Sequence, residues 1–300
     1  MYDIHAPINA MKPILLKITR LLLVLTVAIS FCGGILMSQG GQKLRISMIP
    51  ATDPGKMLRD AQPLTDYLEK KTGAKITMTI PVNYAAVVEA VANDQVDIAH
   101  FGGFTFVQIS ARAGARPLVQ REQDQKFHSL FITQPGSGIN SLKDLAGHTF
   151  AFGDVNSTSG HLMPEYYMRD AKVNAQVIEK ALYTGGHDAT ALAVANKKVD
   201  AGAMDENVFQ TMMKTGKITD QLVKVFWTTP AFFDYVWVAR KGLDAKTAET
   251  FAKALLDLDP KNPEHKKILD FLNAAKYVRA NDSDYAKLRQ AAKDARLIRD

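Results

Sequence analysis

The chain has 300 residues, of which 47% are hydrophobic and 23% are charged. This balance is typical of a globular protein with a sizeable core, and it argues against a disordered chain. The formal net charge is +6, but lysine and arginine form no cluster of the kind that binds nucleic acids, so the sequence predicts no nucleic-acid partner.

The N-terminal segment has the pattern of an export signal. Basic residues precede an apolar run from 21 to 31, as in the charged and apolar regions of a signal peptide. We therefore predict that residues 1–40 are a signal peptide and that the mature protein is exported. Two alternatives remain open. In the first, the signal is not cleaved and the apolar stretch 21–37 remains as a membrane anchor. In the second, Cys32 is lipidated, although the bulky Phe31 before it disfavours lipidation.

Beyond residue 41, short apolar runs alternate with helical patterns. Leu44 to Ile49 and Lys75 to Ile80 are apolar at every second position, which predicts strands. Met57 to Lys71 predicts one helix that ends at Gly73. The other predicted elements are strands at 98–101 and 235–239, and helices at 84–92, 104–112, 160–170, 189–196, 245–258, 261–274 and 283–297. Repeated alternation of this kind predicts an α/β protein with parallel sheets covered by helices.

Two segments are candidates for crossings between lobes. Residues 135–138 form a glycine-rich stretch after an apolar run, and residues 227–235 form a second candidate. We predict one lobe from residues 41–134 and 230–300 and a second lobe from residues 135–229, with a ligand cleft between them. A single continuous α/β domain is the alternative.

The loop Ser157–Ser159 is the clearest candidate for a binding site. Three hydroxyl residues follow an apolar run and precede a predicted helix. A helix start has unpaired N–H groups and a partial positive charge, so hydroxyls placed there suit an oxyanion. Such residues also cap helices, and capping is the alternative reading.

Four segments carry a resemblance to a known family. The chain resembles the phosphonate-binding (PhnD-like) periplasmic proteins of phosphate, phosphite and phosphonate ABC importers. The segments are Ala151–Pro164, Tyr84–Ala90 running into Val96–Gly102, Gly186–Asp188 and Val199–Ala203. The resemblance implies a two-lobed periplasmic binding protein of type II-like fold that closes over a small oxyanion. It implies no cofactor and a monomeric protein. The implied partner is an inner-membrane permease, and a sensor kinase is the alternative.

The resemblance also suggests which residues bind. Ser157, Thr158 and Ser159 would donate hydrogen bonds to ligand oxygens. His187 would donate as well and, if protonated, add charge. Tyr84 would donate through its phenol while its ring forms a wall of the pocket.

Three further residues bear on the identity of the ligand. Phe106 stands where similar proteins tend to carry a tyrosine, so the pocket would lose a hydroxyl. Glu206, or Asp205 beside it, would recognise an amine, unless the pair only begins a helix. Asp234 would either pair with another group or accept a hydrogen bond from a protonated ligand oxygen. On balance these residues favour a compact ligand such as phosphite or methylphosphonate.

The sequence predicts a binding protein rather than an enzyme. It contains no His-Glu-x-x-His metal motif and no Gly-x-Ser-x-Gly nucleophile motif. Ser159 and His187 could be imagined as a nucleophile and its base, but no acidic partner is indicated for them. We therefore predict neither catalysis nor a metal site.

Overall fold

The predicted alternation of strands and helices is confirmed in the computed structural model, which describes residues 42–298. The predicted signal peptide, residues 1–40, lies outside the described residues. The strands are β1 Lys43–Met48, β2 Lys75–Thr79, β3 Ile98–Phe101, β4 Arg116–Arg121, β5 Ser129–Thr133, β6 Phe150–Phe152, β7 Leu182–Tyr183, β8 Ala201–Asp205, β9 Lys224–Thr228, β10 Val236–Ala239 and β11 Tyr277–Arg279. The α-helices are α1 Pro54–Asp60, α2 Gln62–Thr72, α3 Tyr84–Ala92, α4 Gly103–Ala113, α5 Met163–Asp170, α6 Ala175–Glu179, α7 His187–Ala195, α8 Glu206–Lys214, α9 Ala245–Leu256, α10 Pro263–Phe271 and α11 Ala286–Asp294.

The strands form two separate sheets, and each sheet is the centre of one lobe. The first lobe is built on a six-stranded sheet in the order β11-β4-β10-β3-β1-β2. Within it β1 pairs in parallel with β2 and β3, whereas β10 runs antiparallel to β3 and β4. The second lobe is built on a five-stranded sheet in the order β7-β6-β8-β5-β9. Strand β10 lies inside the first sheet, between β4 and β3, and all four of its residues are buried.

The chain passes between the two sheets twice. The second passage, from β9 to β10, lies in the segment that the sequence indicated. The first passage differs from the expectation, because β5 pairs with β8 and β9 in the second sheet. All five residues of β5 are buried, since the strand has a neighbour on each side. Residues 129–133 therefore belong with the second sheet, and the expected boundary after residue 134 falls one strand too late.

The helix boundaries follow local chemistry. The side chain of Asp53 accepts a hydrogen bond from the backbone N–H of Lys56 and caps α1. The prediction of one helix from 57 to 71 was wrong, because the chain breaks at Ala61. Pro63 lies in the first turn of α2, where its missing N–H is tolerated, but it could not continue α1. The predicted stop at Gly73 is confirmed by a left-handed φ of 70°.

Both lobes have apolar interiors that hold the strand ends in place. Phe101, at the end of β3, is completely buried, as are Ala203 and Met204 near the end of β8. Each of these strands is followed directly by a helix, so the rigid core positions the residues at each strand-to-helix turn. Within residues 42–298 no helix combines the length and apolar character that a membrane span would need.

Candidate functional site

The candidate residues meet because helices of both lobes begin at the same place. In the first lobe, α3 begins at Tyr84 and α4 begins at Gly103. In the second lobe, α7 begins at His187, and a π-helical turn that leads into α5 begins at Thr158. Helix starts present unpaired N–H groups and positive potential, so this arrangement favours an anion.

The three hydroxyls of the loop Ser157–Ser159 have different environments. Ser157 Oγ accepts a hydrogen bond of 3.0 Å from the N–H of Gly160 and so caps the turn. Thr158 Oγ1 accepts a bond of 2.9 Å from the N–H of Phe104 in the first lobe. Ser159 Oγ is buried and has no partner among the residues that the structure describes. An unpaired buried hydroxyl is costly, so Ser159 is the hydroxyl best suited to receive a ligand.

His187 is a neutral donor in this environment. Its Nδ1 atom lies 3.2 Å from the backbone N–H of Asp205, which can only donate. Nδ1 must therefore be the unprotonated nitrogen, and Nε2 carries the hydrogen. Complete burial lowers the pKa of His187 further. Sequence analysis left open an added positive charge at this position, but these contacts favour a neutral N–H donor.

Asp234 is a buried carboxylate with one free oxygen. Its Oδ1 atom accepts a bond of 2.9 Å from the N–H of Gly103, and the hydroxyl of Thr158 also bonds to the carboxylate. Its Oδ2 atom has no partner within residues 42–298. Burial raises the pKa of Asp234 to about 7, so the group exchanges a proton close to neutral pH.

Gly102 explains how closely these groups approach one another. A Cβ atom at this position would lie 2.9 Å from Thr158 Oγ1 and 3.2 Å from Asp234 Oδ1. The first distance is shorter than real Cβ contacts, so a larger residue would push the two side chains apart. Glycine is therefore required for the close approach of the lobes.

Tyr84, in the first lobe, contacts two residues of the second lobe. Its hydroxyl lies 3.5 Å from Nε2 of His187, and its backbone N–H donates to Asp154 Oδ2 over 3.4 Å. The side chain is 1% exposed, and burial raises its pKa well above the ordinary value. The phenol is therefore protonated at neutral pH and can donate a hydrogen bond.

Asp205 already has partners for both carboxylate oxygens. Oδ2 accepts a bond of 2.8 Å from the hydroxyl of Tyr235, and Oδ1 accepts a bond of 2.8 Å from the N–H of Val208. The second bond makes Asp205 the cap of α8. A cationic group of a ligand would have to compete with both bonds.

Glu206 and Phe106 contact other residues than those of this group. Glu206 Oε1 accepts a bond of 3.0 Å from the backbone N–H of His128. Phe106 is completely buried and packs edge-on against Tyr285, with 4.9 Å between ring centroids. The structure thus brings together the hydroxyl loop, Tyr84, His187 and Asp234, but it does not show Glu206 or Phe106 bonded to any of them.

Sequence reasoning missed a buried layer behind the site. Arg121 and Asp124 form an ion pair of 2.6 Å, and the Arg121 guanidinium lies 4.8 Å from the ring centroid of Tyr235. His100 stacks on the same ring at 5.3 Å, and burial lowers its pKa to about 3. The only available signal was that Tyr235 directly follows a candidate aspartate. These contacts position the ring of Tyr235, whose hydroxyl donates a hydrogen bond to Asp205.

Backbone donors were also missed. The N–H groups of Gly103 and Phe104 bond to Asp234 and Thr158, and no side-chain motif announces them. The described part of the chain contains no group of three or more His, Cys, Asp or Glu side chains placed to hold a metal ion. The chemistry that the assembled residues offer is hydrogen bonding to a small anion.

Two sheets joined by two crossings, with helix starts facing each other across a cleft, define the periplasmic binding protein fold. A solved structure with this fold is PhnD1 of Prochlorococcus marinus MIT 9301 in complex with methylphosphonate. It superposes with a TM-score of 0.81 at 28% identity, covering 86% of this chain and 99% of the other.

The family described as "ABC transporter, phosphonate, periplasmic substrate-binding protein" matches residues 46–285, and the chain belongs to it. A relative named "Probable ABC transporter phosphite binding protein PhnD1", from P. marinus, is 31% identical over 85% of this chain and 91% of its own length. The "Phosphonates-binding periplasmic protein" of Escherichia coli is 30% identical over 77% of this chain and 70% of its own length. The resemblance stated from the four sequence segments is thereby confirmed.

Proposed function

We propose that this protein captures a small phosphorus oxyanion with a hydrogen on one oxygen and delivers it to an ABC importer. The observation that carries the proposal is a pair of buried, unpartnered atoms, Ser159 Oγ and Asp234 Oδ2. The hydroxyl of Ser159 can donate a hydrogen bond, whereas the ionised carboxylate of Asp234 can only accept one. A ligand with both an oxyanion and a hydroxyl satisfies both atoms.

The donors of the site are neutral, which shapes the choice of ligand. Tyr84, Ser159 and Nε2 of His187 supply hydrogen bonds without a formal charge, and the loop lies at a helix start. A fully ionised anion has no hydrogen to donate to the buried Asp234, so the two negatively charged groups would repel each other. Since burial raises the pKa of Asp234 to about 7, a single proton can be shared between this carboxylate and the ligand near neutral pH. This favours phosphonate, phosphite or phosphate esters over sulfate.

The crowding of the site supports a compact ligand. Thr158 and Asp234 approach each other across Gly102 with no room for one added carbon. Both oxygens of Asp205 already accept hydrogen bonds, from Tyr235 and Val208, so neither oxygen of this carboxylate is left free for an amine. We therefore propose methylphosphonate or phosphite ahead of aminoethylphosphonate. The names of the P. marinus relatives, which mention phosphite and methylphosphonate, support the same order.

Calorimetric titration at neutral pH tests the ligand class. We expect methylphosphonate and phosphite to bind at least about tenfold more tightly than aminoethylphosphonate, and at least about 100-fold more tightly than sulfate, a difference of about 2.7 kcal/mol. Sulfate is the sharpest control, because it matches phosphate in shape but carries no hydrogen at this pH. Sulfate binding as tight as methylphosphonate binding would contradict the proposal.

Family membership supports further parts of the proposal. Members are periplasmic substrate-binding proteins of ABC transporters, so we propose export through residues 1–40 and delivery to an inner-membrane permease by a monomer. Presentation of the ligand to a sensor kinase is the alternative, with the same binding chemistry. Deletion of the gene for the cognate permease should abolish uptake of the ligand if the importer assignment is right.

We also propose that binding occurs without turnover. Relatives are substrate-binding transport proteins. Nδ1 of His187 already accepts the backbone N–H of Asp205 and Nε2 carries the hydrogen, so neither nitrogen is available as a base. Phosphorus NMR of methylphosphonate incubated with the protein should show one unchanged species. Multiple turnovers that disappear in His187→Ala would identify an enzyme instead.

A further inference from the structure

A buried histidine lies within the same turn as the binding hydroxyls but points the other way. His161 belongs to the π-helical turn Thr158–Leu162 and is 2% exposed. Its Nδ1 atom lies 2.6 Å from the carbonyl oxygen of Val155. Its Nε2 atom lies 2.8 Å from Oε2 of Glu165 in α5. The ring therefore joins the segment before the hydroxyl loop to the helix after it.

The two partners decide the charge of the ring. The carbonyl of Val155 can only accept a hydrogen bond, so Nδ1 must carry a hydrogen. Arg169 Nε donates to the other oxygen of Glu165 at 2.7 Å, and this cation keeps Glu165 an ionised acceptor. Nε2 must then carry a hydrogen as well. With both nitrogens protonated, the ring is an imidazolium cation bonded at both ends.

The other charged and titratable groups near the ring are consistent with this state. Arg169 Nε bonds to the second oxygen of Glu165 at 2.7 Å and keeps that carboxylate ionised. The hydroxyl of Tyr183 lies 2.9 Å from Nε2, where it can accept from the imidazolium. His187 lies beyond Gly160 on the ligand side and is neutral. The group formed by His161, Glu165 and Arg169 carries a net positive charge.

The segment that His161 holds is the one that presents the site. Asp154 accepts the N–H of Ser157 through its backbone oxygen at 2.9 Å and the N–H of Asn156 through Oδ1 at 2.7 Å. Asn156 Oδ1 accepts from Gln108 of the first lobe at 3.0 Å. The turn 154–157 is thus anchored at one end by its own bonds and at Val155 by the imidazolium.

We propose that His161, held as an imidazolium between Val155 and Glu165, is a positioning residue that fixes the turn 154–157 and so aligns the hydroxyl loop with the ligand. The proposal rests on the proposed function, because it concerns the geometry of that same site. Loss of one proton leaves either the Val155 carbonyl or the Glu165 carboxylate without its donor, while Tyr183 can donate to the neutral Nε2. The turn is then free to shift, and ligand affinity falls.

Two measurements on the mature protein test this role. Nitrogen-15 NMR of the histidine rings reports their protonation directly, and His161 should show two protonated nitrogens at pH 7. Glu165→Gln removes the acceptor charge that stabilises the cation. In this variant methylphosphonate affinity should fall by about tenfold at pH 8, and by less than about threefold at pH 5.5, where protons are abundant.

The control and the opposing outcomes separate this role from a merely structural one. His148 is a partly exposed histidine of the same lobe, 3.5 Å from Asp200, and His148→Gln should leave the affinity unchanged at both pH values. A neutral His161 ring at pH 7, or a Glu165→Gln affinity that is lowered equally at both pH values, overturns the proposal. If the wild-type protein has the doubly protonated ring but binds none of the phosphorus oxyanions, the proposed function fails while the charge state of His161 stands.

Discussion

Thr158 Oγ1 accepts a hydrogen bond of 2.9 Å from the backbone N–H of Phe104, and this bond joins the two lobes. The hydroxyl of Thr158, in the second lobe, also donates a hydrogen bond to the carboxylate of Asp234. A residue of the hydroxyl loop thus takes part in lobe closure as well as in the site. A ligand that contacts its neighbours stabilises the closed form only through contacts that the open form lacks.

Thr158→Val tests this link, because it keeps the shape of the side chain and removes both bonds. Hydrogen bonds to charged groups contribute roughly 1.5–3 kcal/mol, so methylphosphonate affinity should fall by about tenfold or more. Small-angle scattering of the unliganded variant should give a larger radius of gyration than wild type. Thr250→Val removes an exposed hydroxyl of α9 and should change neither quantity. An unchanged radius together with unchanged affinity would show that the bond is dispensable.

Ser159→Ala and Ser157→Ala should have opposite profiles. Ser159 Oγ has no partner within the described residues, so its removal should leave the unfolding free energy of the apo protein unchanged or raised, while ligand affinity falls by about tenfold. Ser157 Oγ caps a turn, so its removal should lower stability by about 1 kcal/mol. Urea unfolding and calorimetry measure the two effects. Near-normal affinity in Ser159→Ala would remove this hydroxyl from the site.

Asp234→Asn should stabilise the apo protein in a pH-dependent way. The pKa of Asp234 is raised from 3.8 to about 7, so the folded protein holds a proton that the unfolded chain releases. Stability therefore falls as the pH rises through this window. The variant should exceed wild type by at most about 4 kcal/mol at pH 8, and the difference should vanish near pH 4.

Ligand binding supplies the second half of that test. Asp234→Asn replaces an acceptor by an amide, so the affinity for methylphosphonate should fall by about tenfold or more. The discrimination against sulfate should fall too, because the negative charge that opposes a fully ionised anion is gone. Urea titrations at both pH values and calorimetry measure these changes. A variant with wild-type stability at pH 8 and undiminished selectivity would speak against a buried carboxylate that titrates near neutrality.

Gly102→Ala should prevent full closure. The added Cβ atom would lie 2.9 Å from Thr158 Oγ1, and relief requires the second lobe to move away. We expect the affinity to fall by about 100-fold or more, with a radius of gyration that no longer decreases when methylphosphonate is added. Gly136→Ala is unsuited as a control because of its positive φ, whereas Gly55→Ala is suitable, since its Cβ would have only ordinary contacts. Ligand-induced compaction in Gly102→Ala would refute the steric argument.

Glu206→Gln should leave the preference for compact ligands nearly unchanged. The carboxylate bonds to the backbone N–H of His128, and a glutamine oxygen can keep that bond. The ratio of methylphosphonate to aminoethylphosphonate affinity should therefore change by less than about threefold. If aminoethylphosphonate binds most tightly in the wild type and this preference disappears in Glu206→Gln, then Glu206 recognises the amine and the compact-ligand proposal is wrong.

Local sequence predicted most elements well where a turn or cap is encoded by a few residues. Helix α3 was expected at Tyr84–Ala92 and is observed there, and Gly73 ends α2 as expected. The break at Ala61 was missed because Met57 to Lys71 has an unbroken helical pattern. The position of Pro63 already contained the signal, since proline cannot donate within a continuing helix.

The first lobe crossing could not be read from composition. The run Pro135–Gly138 looks like a flexible boundary, whereas the actual passage precedes β5. Which sheet β5 joins depends on strands β8 and β9, which lie about 70 to 100 residues further along the chain. Apolar strand residues fit the interior of either sheet, so only long-range pairing selects between them.

The sequence by itself determined the class of the molecule and the loop Ser157–Ser159, because small polar residues at a helix start suit an anion wherever the helix lies. Only the tertiary structure distinguished the three hydroxyls: Ser157 caps a turn, Thr158 bonds across the lobes, and Ser159 has no partner within the described residues. It also decided that His187 is neutral and Asp234 protonates near pH 7. Partners and burial set these properties, and both arise only when segments far apart in the chain pack together.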